Sequence, residues 1–235
     1  MAKIHSFESM AAVDGVGLRC AVFFYGCPLR CVYCHNPDTW GTGGTEMSAK
    51  EVADKIARFK PYFKNGGGAT FSGGEPLLHA DFICDTAKEL NAHGIGYTLD
   101  TSGTVELNDA VKSAINGADS VILDLKFYNE QMYKKYCGNG FDKMLKTAHY
   151  CNSIDKPLWL RTVIIPGIND TFEDIRQYAA VAKELKPVRY ELLAFHTMGF
   201  FKYEKLEIDN PLKNTKALDK CKLDELQQQL DELMK

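Results

Sequence analysis

Three cysteines lie within one eight-residue stretch, in the pattern Cys27-x3-Cys31-x2-Cys34. Thiolates are soft ligands that select zinc, copper or iron–sulfur clusters. Iron–sulfur carriers commonly hold a [4Fe–4S] cluster with four cysteines, but no fourth cysteine stands near this loop. A cluster held by three thiolates would keep one iron without a protein ligand. An open coordination position of this kind is where a metal accepts a substrate.

A structural zinc site is the alternative interpretation, with His35 completing a Cys3His set. Zinc sites usually draw two ligand pairs from separate parts of the chain, whereas these four residues are nearly contiguous, which favours the cluster. The other five cysteines stand singly among apolar neighbours or in helical patterns, and we expect them to be plain buried residues. They are Cys20, Cys84, Cys137, Cys151 and Cys221.

The composition is that of a globular protein, with 45% hydrophobic and 25% charged residues among 235. The net charge is −3 and no basic block is present, which argues against nucleic acid as a partner. No apolar run is long enough to cross a membrane, and the first residues lack the pattern of a secretory signal. We therefore expect a cytoplasmic protein with no membrane partner.

Six runs rich in β-branched, aromatic or aliphatic residues predict strands, and helical patterns separate them. Strands that alternate with helices indicate parallel βαβ units. Six units suit either an open doubly wound sheet or a partial barrel, and composition does not choose between them. The predicted strands are Leu18–Tyr25, Ala69–Ser72, Ile95–Asp100, Ser120–Lys126, Leu158–Ile165 and Arg189–Ala194.

Helix ends are marked by the residue types that cap them. Ser48-x-x-Glu51 and Asp170-x-x-Glu173 each predict the start of a helix, and Gly94 predicts the end of one between them. A last amphipathic helix is predicted by Leu223, Leu226, Leu230 and Leu233.

Polar, charged or glycine-rich groups follow or end every predicted strand. In both candidate architectures the carboxyl ends of the strands meet at one rim, where ligands bind. The sequence therefore predicts one site built from six loops. The segments concerned are Gly26–Asn36, Gly73–Pro76, Asp100–Gly103, Asp124–Lys126, Arg161 with Pro166–Gly167, and His196.

The cysteine spacing after the first predicted strand resembles the signature of the radical S-adenosylmethionine (SAM) enzymes. Further motifs extend the resemblance over nearly the whole chain, to the activases of glycyl radical enzymes. It implies an α/β fold, a partial (β/α)6 TIM-like barrel, in one domain over 1–235. The core would lie at about 15–195, with a C-terminal loop and helix at 196–235. The motifs are His5–Ser9, Asp14–Arg19, Tyr33–Trp40, Ser72–Pro76, Asp100–Gly103 and Leu123–Lys126.

The resemblance implies the chemistry of the cysteine loop. Cys27, Cys31 and Cys34 would be the catalytic residues, holding a [4Fe–4S] cluster whose fourth iron binds SAM. Reductive cleavage of SAM would give a 5′-deoxyadenosyl radical that takes a hydrogen atom from a glycine of a partner enzyme, under anaerobic conditions. The similarity is greatest to the type that acts on pyruvate formate-lyase. That enzyme is then the expected partner, and flavodoxin or ferredoxin the expected electron donor.

Residues at the other strand ends would bind SAM by the same resemblance. Glu75, after two glycines, would offer its carboxylate to the methionyl ammonium, although such a segment seen alone is an ordinary turn. Lys126 would pair with the SAM carboxylate. His196 would lie near the ligand, although a lone histidine after a strand is more often structural. The remaining expected contacts are Tyr33, Cys34, His35, Asn36, Gly73, Gly74 and Asp124.

A monovalent cation (Na⁺ or K⁺) is expected beside the SAM carboxylate. Asp100, Thr101 and Asp124 resemble its ligands, and oxygen ligands suit a hard ion. The alternative is that the two aspartates cap the turns that follow them.

Asp14 and Arg161 resemble positions that face the partner's glycine loop. The family commonly has Asp-Gly-Pro-Gly-Ile-Arg where this chain has valine at position 16 and leucine at position 18. Because proline restricts the backbone, its replacement lowers the expected rigidity of this loop.

Three other functions stay open at this point. One is the activation of a different glycyl radical enzyme. Another is radical chemistry on a small molecule, as in 7-carboxy-7-deazaguanine synthase. A third is a metal module without catalysis. The segment from Trp40 to Ser48 contains no cysteine, so the cysteine-rich insert of several other activases is absent, which favours the pyruvate formate-lyase type.

Overall fold

Eight strands form one sheet, and the computed structural model describes all residues, 1–235. The strands are β1 (Ala2–Ala11), β2 (Arg19–Phe24), β3 (Thr45–Met47), β4 (Gly68–Gly73), β5 (Tyr97–Thr101), β6 (Ser120–Asp124), β7 (Leu158–Ile164) and β8 (Arg189–Ala194). The helices are α1 (Ala49–Ala57), α2 (Ala80–Ala92), α3 (Asp109–Gly117), α4 (Glu130–Tyr136), α5 (Phe141–Ser153), α6 (Phe172–Leu185), α7 (Phe200–Lys205) and α8 (Lys220–Leu233).

The strand order is β3-β1-β2-β4-β5-β6-β7-β8, and the six strands from β2 to β8 in that order pair in parallel. These are the six strands that the sequence predicts, with ends displaced by no more than about two residues. The two edges of the sheet, β3 and β8, are not paired with each other. The sheet is therefore an open, mostly parallel one, as a partial barrel requires.

Two strands were not expected from the sequence. β1 pairs antiparallel with β2, and β3 pairs antiparallel with β1. Along β1, inward residues such as Ala2 and Ile4 alternate with more exposed ones. This alternation is the signature of a strand with one face in the core, so the signal was present in the sequence.

The largest apolar cluster lies between the sheet and its helices. Its members include Val22, Phe71 and Leu99 on parallel strands and Ile83 and Leu90 on α2, all completely buried. None of the helices is both long enough and apolar enough to cross a lipid bilayer.

The capping box Ser48–Glu51 is confirmed at the start of α1, but the second prediction was displaced by one residue. α6 begins with Thr171 as its N-cap and Asp174 as the reciprocal partner. Asp170 instead accepts a hydrogen bond from the backbone N–H of Gly167, 2.9 Å away, which closes the turn before the helix. Gly94 has φ +62° just beyond α2, as expected of a residue that ends a helix.

Glu75 joins the loop after β4 to the loop after β5. Its side chain is fully buried. Oε1 accepts hydrogen bonds from the backbone N–H of Leu77 and the hydroxyl of Thr101. Oε2 accepts from the backbone N–H and the hydroxyl of Ser102. Four donors on one buried carboxylate explain why a charged group is tolerated there.

Replacing Glu75 by glutamine should lower the free energy of unfolding by roughly 1–3 kcal/mol, because an amide NH2 would face a buried backbone N–H that keeps no acceptor. Denaturant unfolding of the metal-free protein measures this. The matched control is Glu106→Gln, since Glu106 is exposed and only pairs with Lys143 at the surface. Equal losses in the two variants would contradict the role given to Glu75.

Candidate active site

A cavity of about 320 Å³ opens at the carboxyl ends of the parallel strands. Every site residue predicted from the sequence lines it except Glu75 and His196. The predicted residues present are Asp14, Cys27, Cys31, Tyr33, Cys34, His35, Asn36, Gly73, Gly74, Asp100, Thr101, Asp124, Lys126 and Arg161. The topology thus gathers residues from Asp14 and from five of the six predicted strand ends, whereas the sixth, at His196 after β8, does not line the cavity.

The cysteine loop follows β2 and forms one wall of the cavity. Its start is fixed by Gly26, whose N–H donates to Thr39 O at 2.8 Å. Burial raises the pKa of the Cys27 thiol to about 12 and that of Cys34 to about 11. Cys31 is almost fully buried, and its contact with Cys137 together with burial raises its pKa well above the ordinary value. Without a bound metal, all three side chains are therefore neutral thiols at pH 7.

Cys137 lies beside the cysteine loop, a position that the sequence analysis did not predict. The residues on either side of Cys31 bond to this segment: Arg30 N donates to Cys137 O at 2.8 Å, and Val32 N donates to Tyr136 O at 2.9 Å. Cys137 is fully buried in the apolar cluster that contains Cys31. The end of α4 therefore supports the loop from behind. Cys20 and Cys151 are plain buried residues as expected, but Cys84 is only half-buried and Cys221 is exposed.

Lys126 provides a largely buried positive charge at the cavity, near the cysteine loop. Its Nζ lies 2.8 Å from Asp124 Oδ2 and 5.9 Å from the centre of the Tyr33 ring. Burial lowers the pKa of Lys126, but the Asp124 carboxylate and the neighbouring groups raise it further, so the amine stays charged. The site can therefore bind an anionic group here.

Asp100 and Arg161 face each other across the floor of the cavity. Asp100 Oδ2 accepts from the Ser72 hydroxyl at 2.7 Å, while Oδ1 is 3.8 Å from Arg161 Nη1. Burial raises the pKa of Asp100 to about 6, although Arg161 lowers it. Asp124 is similar, since only its Oδ2 is bonded, to Lys126. Each aspartate thus keeps one oxygen without a hydrogen-bond donor.

The residues predicted to hold a monovalent cation, Asp100, Thr101 and Asp124, all line this cavity. No three carboxylate, imidazole or thiol groups lie close enough together to hold a single metal ion. Thr101 is engaged elsewhere: its hydroxyl donates to Glu75 and accepts from Gly103 N.

Glu75 does not point into the cavity, so the sequence-based expectation that it binds an ammonium group is wrong for this geometry. Its four hydrogen-bond donors occupy both carboxylate oxygens and turn the side chain into the protein. Gly74 does line the cavity, and a Cβ there would lie 2.1 Å from Gly26 O. Glycine at this position lets the loop after β4 touch the cysteine loop.

His196 backs the cavity without lining it. Its ring stacks on that of His35, with centroids 3.8 Å apart and planes 9° from parallel. Burial, and to a smaller extent the neighbouring His196, lower the pKa of His35 to about 4. Burial also lowers the pKa of His196, so both rings are neutral at pH 7. His196 therefore holds His35 in place and does not itself reach the cavity.

α7 fastens the cysteine loop from the other side, and the sequence analysis missed it. The Tyr203 hydroxyl donates to Cys34 O at 2.9 Å. Lys202 Nζ donates to Asn36 Oδ1 at 2.8 Å and lies 3.0 Å from Asp38 Oδ1. No local pattern could have found these contacts, because more than 160 residues separate the partners. Ser72, by contrast, follows the strand-end rule and could have been named.

Comparison with known proteins identifies the family of this chain. Residues 21–179 match the model of the radical SAM superfamily. A pyruvate formate-lyase-activating enzyme from Clostridium pasteurianum is 45% identical over 240 residues, covering all of this chain and 99% of the relative. One from Staphylococcus epidermidis is 38% identical, covering 92% of this chain and 90% of the relative.

Solved structures agree at the level of the fold. A domain of a pyruvate-formate lyase-activating enzyme from Bacteroides vulgatus superposes with a TM-score of 0.57 at 23% identity, covering 71% of this chain and 94% of that domain. Streptococcus suis SuiB, bound to its precursor peptide SuiA, gives 0.67 at 17% identity, covering 88% of this chain and 43% of SuiB. The partial-barrel prediction is confirmed, and the chain belongs to the radical SAM superfamily, within the family of pyruvate formate-lyase-activating enzymes.

Proposed function

We propose that this chain activates pyruvate formate-lyase by generating a glycyl radical on it. The observation that carries the proposal is that three cysteines and the buried cation of Lys126 line one cavity in a chain of this family. When bound, the family's [4Fe–4S] cluster and SAM supply an electron and a 5′-deoxyadenosyl radical, which takes a hydrogen atom from a glycine of the protein substrate.

The cysteine loop fits an iron–sulfur cluster by its donor chemistry. Cys27, Cys31 and Cys34 face one cavity, and no fourth cysteine lines it. Since their pKa values are raised, the thiols must lose protons when they bind iron, so cluster assembly in this chain depends on pH. Cys137 lies behind Cys31 and does not line the cavity.

The rest of the cavity fits the amino-acid end and the nucleoside end of SAM. Lys126 would hold the carboxylate, and the free oxygens of Asp100 and Asp124 can accept an ammonium group or a monovalent cation. Two side-chain atoms at the cavity, Tyr33 Oη and Arg161 Nε, are buried without a hydrogen-bond partner. Unsatisfied buried polar atoms are costly, so a ligand that bonds to them would be favoured.

The finer assignments rest on these fits together with the resemblance. Asn36, His35 and Gly73 would contact the nucleoside or the methionyl group, and Asp14 with Arg161 would face the partner's glycine segment. We also propose that 1–235 works as one unit, and that flavodoxin or ferredoxin donates the electron. The cytoplasmic location and the exclusion of nucleic acid stay predictions.

Anaerobic incubation of the reconstituted protein with SAM, a reductant and pyruvate formate-lyase should give a glycine-centred radical, seen by electron paramagnetic resonance. A radical that forms only with another glycyl radical enzyme would overturn the proposed target and leave the chemistry intact. Colourless protein that contains zinc and no iron would overturn the whole proposal.

Cys31→Ala should abolish cluster assembly and SAM cleavage, because the loop would keep only two thiols. Iron and sulfide analysis and the release of 5′-deoxyadenosine measure the two effects. Cys84→Ala and Cys221→Ala are the controls, since neither residue lines the cavity, and they should keep full cluster content. Loss of iron in all three variants would mean that the ligands are wrongly assigned.

Lys126→Met should weaken SAM binding by about tenfold or more, because a buried charge-assisted bond to the carboxylate is lost. Cluster content should stay unchanged, which distinguishes loss of the ligand contact from loss of the site. Isothermal titration with SAM under anaerobic conditions gives the dissociation constant. Lys143→Met is the control, since Lys143 pairs with Glu106 at the surface. Unchanged affinity in Lys126→Met would contradict the assignment.

Replacing Na⁺ and K⁺ by tetramethylammonium should weaken SAM binding if Asp100 and Asp124 hold a small cation. The affinity of Asp124→Asn should then no longer depend on the choice of cation. Equal affinity of the wild-type protein in all three salts would show that no monovalent cation takes part.

A further inference from the structure

Arg19 carries a buried guanidinium group whose partners are all uncharged. The residue is 1% exposed. Nε donates to the Thr70 hydroxyl at 2.7 Å, Nη1 to Val16 O at 2.8 Å and Gly66 O at 3.0 Å, and Nη2 to Ala69 O at 2.6 Å. Burial lowers the pKa of Arg19, although the nearby carboxylates of Asp119 and Asp14, which do not bond to it, raise it. Burying a cation that is bonded only to neutral oxygens costs free energy. The position of those oxygens indicates which part of the fold Arg19 stabilises.

The acceptor oxygens of Arg19 lie on two segments. Val16 O belongs to residues 12–18, which we call the Asp14 loop, and the other three belong to residues 66–70, around the start of β4. Val16 O is held directly by Arg19. The Thr70 hydroxyl, which accepts from Arg19, donates onward to Asp14 O at 2.7 Å. Arg161 Nη2 donates to Val13 O at 2.7 Å. Three carbonyls of one short loop are thus bonded to side chains of β2, β4 and β7.

Gly15 lets the Asp14 loop fold over the Arg19 side chain. A Cβ at Gly15 would lie 2.7 Å from Arg19 Cδ, and its φ of +134° is unfavourable for other residues. Gly17 is equally constrained, since a Cβ would lie 2.5 Å from Lys64 O. The loop is therefore packed against the Arg19 side chain at Gly15 and against the backbone of residues 64–67 at Gly17.

The bonded carbonyls point inward, and the side chains of the loop face the cavity or the solvent. Asp14 lines the cavity, with its Oδ1 3.9 Å from Arg161 Nη1. Val13 is 75% exposed and Val16 is 48% exposed. The Asp14 loop thus presents one carboxylate at the cavity and two apolar side chains beside it.

We propose that Arg19 is a positioning residue that holds the Asp14 loop in one conformation, ready to receive the glycine-bearing segment of the protein substrate. This rests on the proposed function. The hydrogen bonds of Arg19 provide the rigidity that the sequence suggested was lost with valine at position 16. A loop already ordered before binding loses less conformational entropy when the partner docks, which lowers the concentration of partner needed.

Arg19→Lys tests this, because lysine keeps the charge but cannot reach four separate acceptors. The KM for pyruvate formate-lyase should rise by about tenfold or more, while kcat at saturating partner and partner-free SAM cleavage with dithionite change by less than about twofold. Amide hydrogen exchange of residues 13–18 should become faster. Arg189→Lys, an exposed residue paired with Glu191, is the control and should change none of these.

Thr70→Val provides a second variant if Arg19→Lys folds poorly. It removes only the hydroxyl between Arg19 Nε and Asp14 O, and should change KM and hydrogen exchange in the same direction by a smaller factor. Equal loss of partner-free SAM cleavage and partner-dependent activity in both variants, or unchanged exchange of residues 13–18, would overturn the role of Arg19. If wild-type protein produces no radical on pyruvate formate-lyase, the proposed function fails, and the exchange measurement still decides whether Arg19 orders the loop.

Discussion

Parallel pairing of six strands brings all their carboxyl ends to one edge of the sheet, and this constraint determines the rest of the molecule. The loops after β2, β4, β5 and β6 each continue the chain from a strand and also contribute residues to one cavity. Backbone N–H and C=O groups at strand ends have no ladder partner, so they need side chains to bond to. The polar residues of the site and the polar residues of the fold therefore occupy the same few loops.

The charged residues near the cavity fall into two groups, those that can bind a ligand and those that hold the loops in place. Lys126, Asp100 and Asp124 lie at the cavity and keep bonding capacity that a ligand could use. Glu75 and Arg19 are more deeply buried than these three residues, and each has its hydrogen-bonding groups occupied by the protein. A charged residue whose hydrogen-bonding groups are all occupied by the protein supports the loops of the site and has no group left to bind a ligand. Proximity to the cavity alone does not distinguish the two kinds of residue.

The sequence predicted the parallel strands and the rim of the cavity because both depend on local patterns. Apolar runs mark the strands, and the residues directly after them must lie at the rim. The side-chain direction of Glu75 was wrongly predicted, because a carboxylate in a turn can face a ligand or nearby donors, and only the positions of Thr101 and Ser102 decide. β1 was not predicted, although the alternation of inward and exposed residues along it is visible in the sequence.

Contacts between segments that are distant in the chain could not be predicted, because no local sequence pattern contains them. The cysteine loop is held by the end of α4 through Tyr136 and Cys137, and by α7 through Lys202 and Tyr203. Asn36 lines the cavity, and because Lys202 donates to its Oδ1, its amide nitrogen keeps its two hydrogens as donors for other groups. The C-terminal segment thus determines which group the cysteine loop offers to a ligand.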